Sequence, residues 1–305
     1  MDHPSLDTSV PNVARMYDYM LGGRENFQAD RSAAESVLRI LPETKQKVRE
    51  NRAFLRRAVG YLSEQGIRQF LDVGSGLPTQ DNVHEVAHEV NPDAKVVYVD
   101  HDPVVVSHGQ ALLAKSEQVI VVEADFRDPQ ALLSLPAIRG HLDFARPVAV
   151  ILLQVLHFVS DEEDPAGIVA AFKDAFCSGS FLVIGQISGD DLPEDVMARA
   201  VQAYSSASGL WHRGKDQIRR LFDGFDLVEP GITPEHAWQP GPGGAPERLV
   251  TTGWVGVARK PLLIGPGAIP FQLKCADAVD HEAWQIGTPR AWGEPQSRQP
   301  GRDLL

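Results

Sequence analysis

Cysteine is scarce in this chain. Among 305 residues only Cys177 and Cys275 are cysteines. Two are too few for a disulfide framework, and neither sits in a metal-ligand spacing, so no structural metal and a reducing compartment are expected. Long apolar runs are also lacking. The longest, residues 147–159, is broken by Gln154 and His157 and is too short to cross a bilayer. The opening Met1-Asp2-His3-Pro4 has neither the basic nor the apolar region of a secretory signal. A cytoplasmic protein with no membrane partner is the expectation. Basic charge is short as well: the formal net charge is −12, and residues 71–200 hold 7 Lys/Arg against 21 Asp/Glu. Such a surface repels phosphate backbones, which argues against a nucleic-acid partner. The one basic cluster, Lys45, Lys47, Arg49, Arg52, Arg56 and Arg57, is spaced along a predicted helix and interrupted by Glu50, and reads as a solvated face. Oligomeric state has no signature here.

What is present suits a soluble globular chain, 43% hydrophobic and 23% charged. Helical spacing covers residues 11–20, 29–40 and 45–65, with Pro11 at a start and Gly22-Gly23 at a stop. Residues 1–66 are therefore expected to form an N-terminal helical lid segment. From residue 67 strands alternate with helices. Strands are predicted at 69–73, 95–100, 119–123, 147–154 and 180–186, and two more, joined by a Pro/Gly-rich loop at 230–248, at 225–229 and 251–259. Helices are predicted at 82–89, 103–114, 129–133, 165–176, 193–204 and 215–222. The expected fold is α/β, a doubly wound seven-stranded, mostly parallel sheet with an antiparallel last strand, spanning 67–260. Residues 261–305 hold 6 Pro and 5 Gly with little periodicity and read as a flexible tail.

Four places on this framework can carry chemistry. The first is Phe70-Leu71-Asp72-Val73-Gly74-Ser75-Gly76, an apolar strand ending in a glycine turn where a backbone can approach a ligand; an ordinary strand-to-helix turn capped by Thr79 or Asp81 is the plain alternative. The second is Asp100-His101-Asp102-Pro103, where Asp100 is placed to accept from ribose hydroxyls and Asp102 to cap the next helix. The third is Asp125-Phe126, an acid and an aromatic suited to an adenine, with core packing as the alternative for the ring. The fourth is Gln154-Val155-Leu156-His157 at the end of the fourth strand. A histidine there either deprotonates a nucleophile or is simply buried and hydrogen-bonded; both readings stand.

Four signals at four successive strand ends resemble the class I S-adenosylmethionine-dependent methyltransferases. A dinucleotide-binding Rossmann turn fits less well, because Asp72 precedes Gly74 and Pro78-Thr79 stands where a third glycine is wanted. The similarity extends to an actinobacterial-type methyltransferase family of mostly unassigned substrate, through Asn12–Gly23, Asn51–Leu55, Phe70–Gln80, Val97–Asp100, Ala124–Pro129 and Phe222–Phe225. The resemblance implies a Rossmann-like methyltransferase fold and S-adenosyl-L-methionine as cofactor. It implies that Asp72, Gly74 and Gly76 line the methionine part, Asp100 takes the ribose hydroxyls, and Asp125 and Phe126 the adenine, with Ser75, His101, Gln154 and Tyr17 also at the cofactor. Arg15, Asn26 and Arg52 are further lid residues able to reach the site. His157, in Leu156-His157-Phe158-Val159-Ser160-Asp161-Glu162, resembles the general base of small-molecule O-methyltransferases. The implied acceptor is a small molecule. A non-catalytic cofactor-binding sensor or scaffold, and less favoured an NAD(P)-dependent oxidoreductase, are the competing functions.

Overall fold

In the computed structural model, which describes residues 7–78, 81–113, 116–239 and 252–262, seven strands form one sheet in the order β3-β2-β1-β4-β5-β7-β6. The strands are β1 (Gln69–Val73), β2 (Lys95–Asp100), β3 (Val119–Glu123), β4 (Ala149–Leu153), β5 (Phe181–Ile187), β6 (Asp226–Leu227) and β7 (Gly253–Arg259). The first five pair in parallel, while β7 runs antiparallel to both β5 and β6. Every residue of β1 is buried, as expected for a strand covered on both faces. Successive strands are added on one side of β1 up to β3 and on its other side from β4, so the turns after the parallel strands β1 and β4 open side by side. In open α/β sheets that is where ligands bind.

Alternate strand residues feed two cores. Leu71, Val73, Val150 and Leu152 pack with α6 (Pro129–Ser134), α7 (Pro136–His141), α8 (Pro165–Ala175) and α10 (Lys215–Arg220) on one face. Phe70, Tyr98 and Ile151 pack on the other face with α4 (Val83–Val90) and with Phe54, Leu55, Ala58, Val59 and Leu62 of α3 (Thr44–Glu64). A third cluster joins α1 (Val13–Leu21), α2 (Gln28–Ile40) and the first turns of α3 through Met16, Met20, Ala34, Val37 and Val48. Against it lie Ala203, Tyr204 and Ala207, on α9 (Glu194–Tyr204) and just beyond. The remaining helix, α5 (Pro103–Leu113), follows β2.

Several expectations are corrected in detail. Across residue 66, Phe54 to Leu62 of α3 share a core with β1, and the described residues belong to one compact unit. Helix α4 is capped by Asn82 with Glu85, whose carboxylate accepts from Asn82 N at 2.7 Å, rather than by Asp81, which has φ 56°; Thr79 lies outside the described residues. A short helix, α7, occupies residues expected to be loop, starting at Pro136. β6 is only two residues long. Half of the basic cluster turns inward. Lys47 pairs with the fully buried Glu235, Arg57 donates to the carbonyls of Glu235 (2.6 Å) and Trp238 (3.0 Å), and Arg52 donates to the carbonyl of Asp81 (3.0 Å). Lys45, Arg49 and Arg56 are exposed as expected. Nearly all of the 261–305 tail lies outside the described residues.

Candidate active site

The turn after β1 is built by backbone bonds to β2. Gly74 N and Ser75 N donate to the carbonyl of Val99 (2.8 and 3.1 Å), and Gly76 N donates to Asp100 Oδ2 (2.9 Å). Gly74 and Gly76 have φ of 69° and 65°, a region costly for L side chains. At residue 74 a Cβ would also fall 2.3 Å from Val155 Cγ1. The second oxygen of Asp100 accepts from Asp102 N (3.0 Å), while Asp102 accepts from Val104 N (2.7 Å) and so opens α5. Asp102 thus caps α5, as expected. Asp102 takes a second bond from the side chain of Asn12, whose Oδ1 caps α1 by accepting from Ala14 N (2.8 Å). One asparagine thus starts the covering helix and ties it to the β2 edge.

Asp72 is buried and makes no hydrogen bond through its carboxylate to any described residue. Burial raises its pKa to about 7, with nearby Arg52 pulling the other way. Burial likewise raises Asp100, against the backbone N–H groups of Asp102 and Gly76. At the end of β4, Gln154 has φ 61°, a strained position for a non-glycine residue. It is held by its N–H on the carbonyl of Gly185 (2.9 Å) and by Nε2 on Glu235 Oε1 (3.3 Å).

Then follows a 3₁₀ turn, Leu156–Phe158, gripped by buried Arg213. The guanidinium donates to the carbonyls of Leu156 and Val159 (both 2.8 Å) and pairs with Asp161 (2.7 Å). His157 is 3% exposed, and its Nδ1 is buried without a hydrogen-bond partner. Burial, and then the charge of Arg213, push its pKa down to about 3, so the imidazole is neutral at pH 7.

These residues surround one cavity of about 260 Å³. Tyr17, Asp72, Gly74, Ser75, Gly76, Asp100, His101, Phe126, Gln154 and His157, all named from the sequence, line it together. Asp125 does not: it is exposed and accepts from Arg127 N (2.9 Å) and Arg127 Nη1 (3.1 Å), and Arg127 lines the cavity in its place. Among the other lid candidates Arg52 lines it. Arg15 turns instead to Asp30 (2.9 Å) and Asn26 to Asp18 (2.8 Å). Tyr17 is held by donation to the carbonyl of Val48 (3.1 Å) and by Asn51 Nδ2 (2.9 Å). Sequence reasoning did not find Lys47, Tyr204 and the methionines as lining residues, nor Glu235 behind the wall. Their helices and loop meet the site only through tertiary packing, and no local motif marks them.

Strand order, the antiparallel β7, and the glycine turn and acids at adjoining strand ends define the class by fold: a Rossmann-like α/β sheet with its cavity at the strand ends. A family model described as S-adenosyl methyltransferase matches residues 1–261, and the chain belongs to that family; its cofactor is S-adenosylmethionine. Among solved structures, the chain is similar to a protein from Thermobifida fusca described as a candidate methyltransferase. That pair has 42% identity and a TM-score of 0.80, covering 85% of this chain and 98% of the other. A DUF574 family protein from Streptomyces avermitilis is 38% identical with the same TM-score, over 84% and 99% of the two chains. Among curated proteins no sequence matches. No described helix is long and apolar enough to cross a membrane.

Proposed function

We propose that the protein transfers a methyl group from S-adenosylmethionine to a small molecule bound in the same cavity. The observation that carries this is the continuity of that cavity: Gly74, Gly76, Asp100 and Phe126 line it at the strand ends, and Met16, Met20, Met197 and Tyr204 line it beneath the covering helices. The residues present fit the cofactor. Asp72 offers a buried carboxylate that lacks a donor, suited to an ammonium group. Asp100 uses one lone pair of each oxygen on backbone N–H groups and keeps others for ribose hydroxyls. Phe126 and Arg127 provide the wall for a base, a role Arg127 takes over from Asp125.

Bound S-adenosylmethionine supplies an already electrophilic methyl, so the chain's task is to position the acceptor in line and exclude water. Helices α1 and α2 form the cover, with Asn12 as its tie to the sheet. The neutral imidazole of His157 receives a hydrogen bond from an acceptor hydroxyl and takes its proton as the new bond forms. With so low a basicity it contributes less than the ~10²–10⁴-fold of a well-matched general base. Calorimetry with S-adenosylhomocysteine and with NAD(H) tests the cofactor: binding of NAD(H) alone sinks the reading. Formation of S-adenosylhomocysteine in metabolite extracts tests catalysis, and its absence across broad extracts favours a sensor or scaffold.

A further inference from the structure

The end of the cavity away from the strand ends is a chamber between α1, α2, the first turns of α3, and α9. The chain contains four methionines, and all but Met1 line this one space. Met16, Met20 and Met197 are unbranched and polarizable, suited to closing around an apolar body of irregular outline. Val37, Leu41 and Leu210 complete much of the wall.

Two charged side chains reach the chamber, and both are already partnered. Asp18 accepts from Glu25 N (2.9 Å) and Asn26 Nδ2 (2.8 Å), and Lys47 pairs with Glu235. A ligand with a carboxylate or phosphate would therefore be buried there beside a cation already paired and an unneutralised Asp18, at heavy cost. Among the described residues, two polar groups next to Phe158 lack a hydrogen-bond partner. The Tyr204 hydroxyl makes no hydrogen bond to a described residue, and its ring lies 6.4 Å from that of Phe158, next to His157. The Nδ1 of His157 is the other.

We infer that the methyl acceptor is a largely apolar small molecule that carries no anionic group. Its body fills the methionine chamber, and its one hydrogen-bonding group, a hydroxyl or an aromatic nitrogen, faces His157 and Tyr204. This rests on the proposed transferase reading and adds the substrate class to it.

The test uses two probes on one ring skeleton: uncharged N-phenyl-1-naphthylamine and its sulfonated counterpart 8-anilino-1-naphthalenesulfonate. Each is titrated by fluorescence into the full chain saturated with S-adenosylhomocysteine. The uncharged probe should bind at one site, at least about tenfold more tightly than the sulfonate. Ala200→Phe and Ala207→Trp fill the chamber, and each should weaken that binding about tenfold or more while calorimetric affinity for S-adenosylhomocysteine stays within about twofold. Absent binding of the uncharged probe, equal binding of both probes, or indifference to both filled variants overturns the inference. The probe comparison is made on the unmodified chain, so misfolding of a variant does not blunt it. Failure of the unmodified chain to bind S-adenosylhomocysteine instead overturns the transferase reading, whatever the probes do.

Discussion

The two ends of the cavity are made of different materials. At the strand ends the wall is backbone and short acids: the amides of Gly74 and Ser75 sit on Val99, and Asp100 bridges Gly76 and Asp102. At the chamber the wall is long side chains from four helices that meet only in the folded state. The first kind is rigid because a parallel sheet positions it. The second adapts, because methionine has three rotatable bonds. On the proposed function, a fixed cofactor end beside an adaptable acceptor end lets one fold serve many acceptors.

Glu235 joins the two ends. Without accessible surface, it holds Lys47 of α3 through one oxygen and Gln154 at the β4 end through the other. Lys47→Ala leaves that carboxylate buried and unpaired. This should cost about 3–5 kcal/mol of stability and loosen both ends together. The double variant Lys47→Met, Glu235→Gln should recover most of it. Chemical denaturation of the two proteins decides; equal losses would mean that Glu235 is not the joint.

Asp100→Ala separates the ends. Removing the carboxylate should weaken S-adenosylhomocysteine binding about 10–100-fold while the chamber still takes its uncharged probe. Calorimetry and fluorescence on the same sample give both readings. If both affinities fall together, the cavity behaves as one site and the contrast is lost.

The strand-end half was readable because its physics is local. A continuous apolar strand, a carboxylate and two glycines fit within Phe70–Gly76, and Asp100 and Phe126 follow at equivalent points of the next two units. The strand pattern held nearly to the residue for β1, β2 and β3. Asp125 could not be placed, because its capture by Arg127 two residues on competes with any ligand. The chamber was unreadable for the opposite reason. Met16 and Met197 lie far apart in the chain, and either is an ordinary apolar residue of an amphipathic helix. The stretch 235–238 looked like part of a Pro/Gly-rich loop. Yet Trp238 is fully buried, edge-on to Phe54 (5.5 Å) and Tyr61 (5.7 Å), and no periodicity marks a residue whose aromatic partners lie on a distant helix.

The two ends also carry titrating groups with opposite signs. His157, beside the chamber, has a folded pKa of about 3, below its ordinary 6.5. Its contribution to stability is complete above pH 6.5 and is lost as pH falls toward 3, because the unfolded chain takes up the proton first. His157→Leu should therefore flatten the acid side of the stability profile, by roughly 1–2 kcal/mol between pH 6.5 and 5. An unchanged slope would mean that the imidazole titrates alike in the folded and the unfolded chain, which would restore it as an ordinary base.

Asp72, at the strand end, runs the other way. Its folded pKa, about 7, lies above the ordinary 3.8, so the folded state holds a proton that the unfolded state has released. Stability therefore falls as pH rises from 3.8 and levels off once pH passes 7. Relative to the unmodified chain, Asp72→Asn should gain roughly 1 kcal/mol of stability between pH 6 and pH 8. Comparing the two proteins at each pH cancels the part of the slope that His157 supplies in the same window. Saturating S-adenosylhomocysteine sharpens the comparison further. A ligand ammonium beside Asp72 favours the ionised carboxylate and draws its pKa down. The stabilisation conferred by the ligand should then grow from pH 6 to pH 8 in the unmodified chain and stay nearly level in Asp72→Asn. Ligand stabilisation with the same pH dependence in both would place the ammonium away from Asp72.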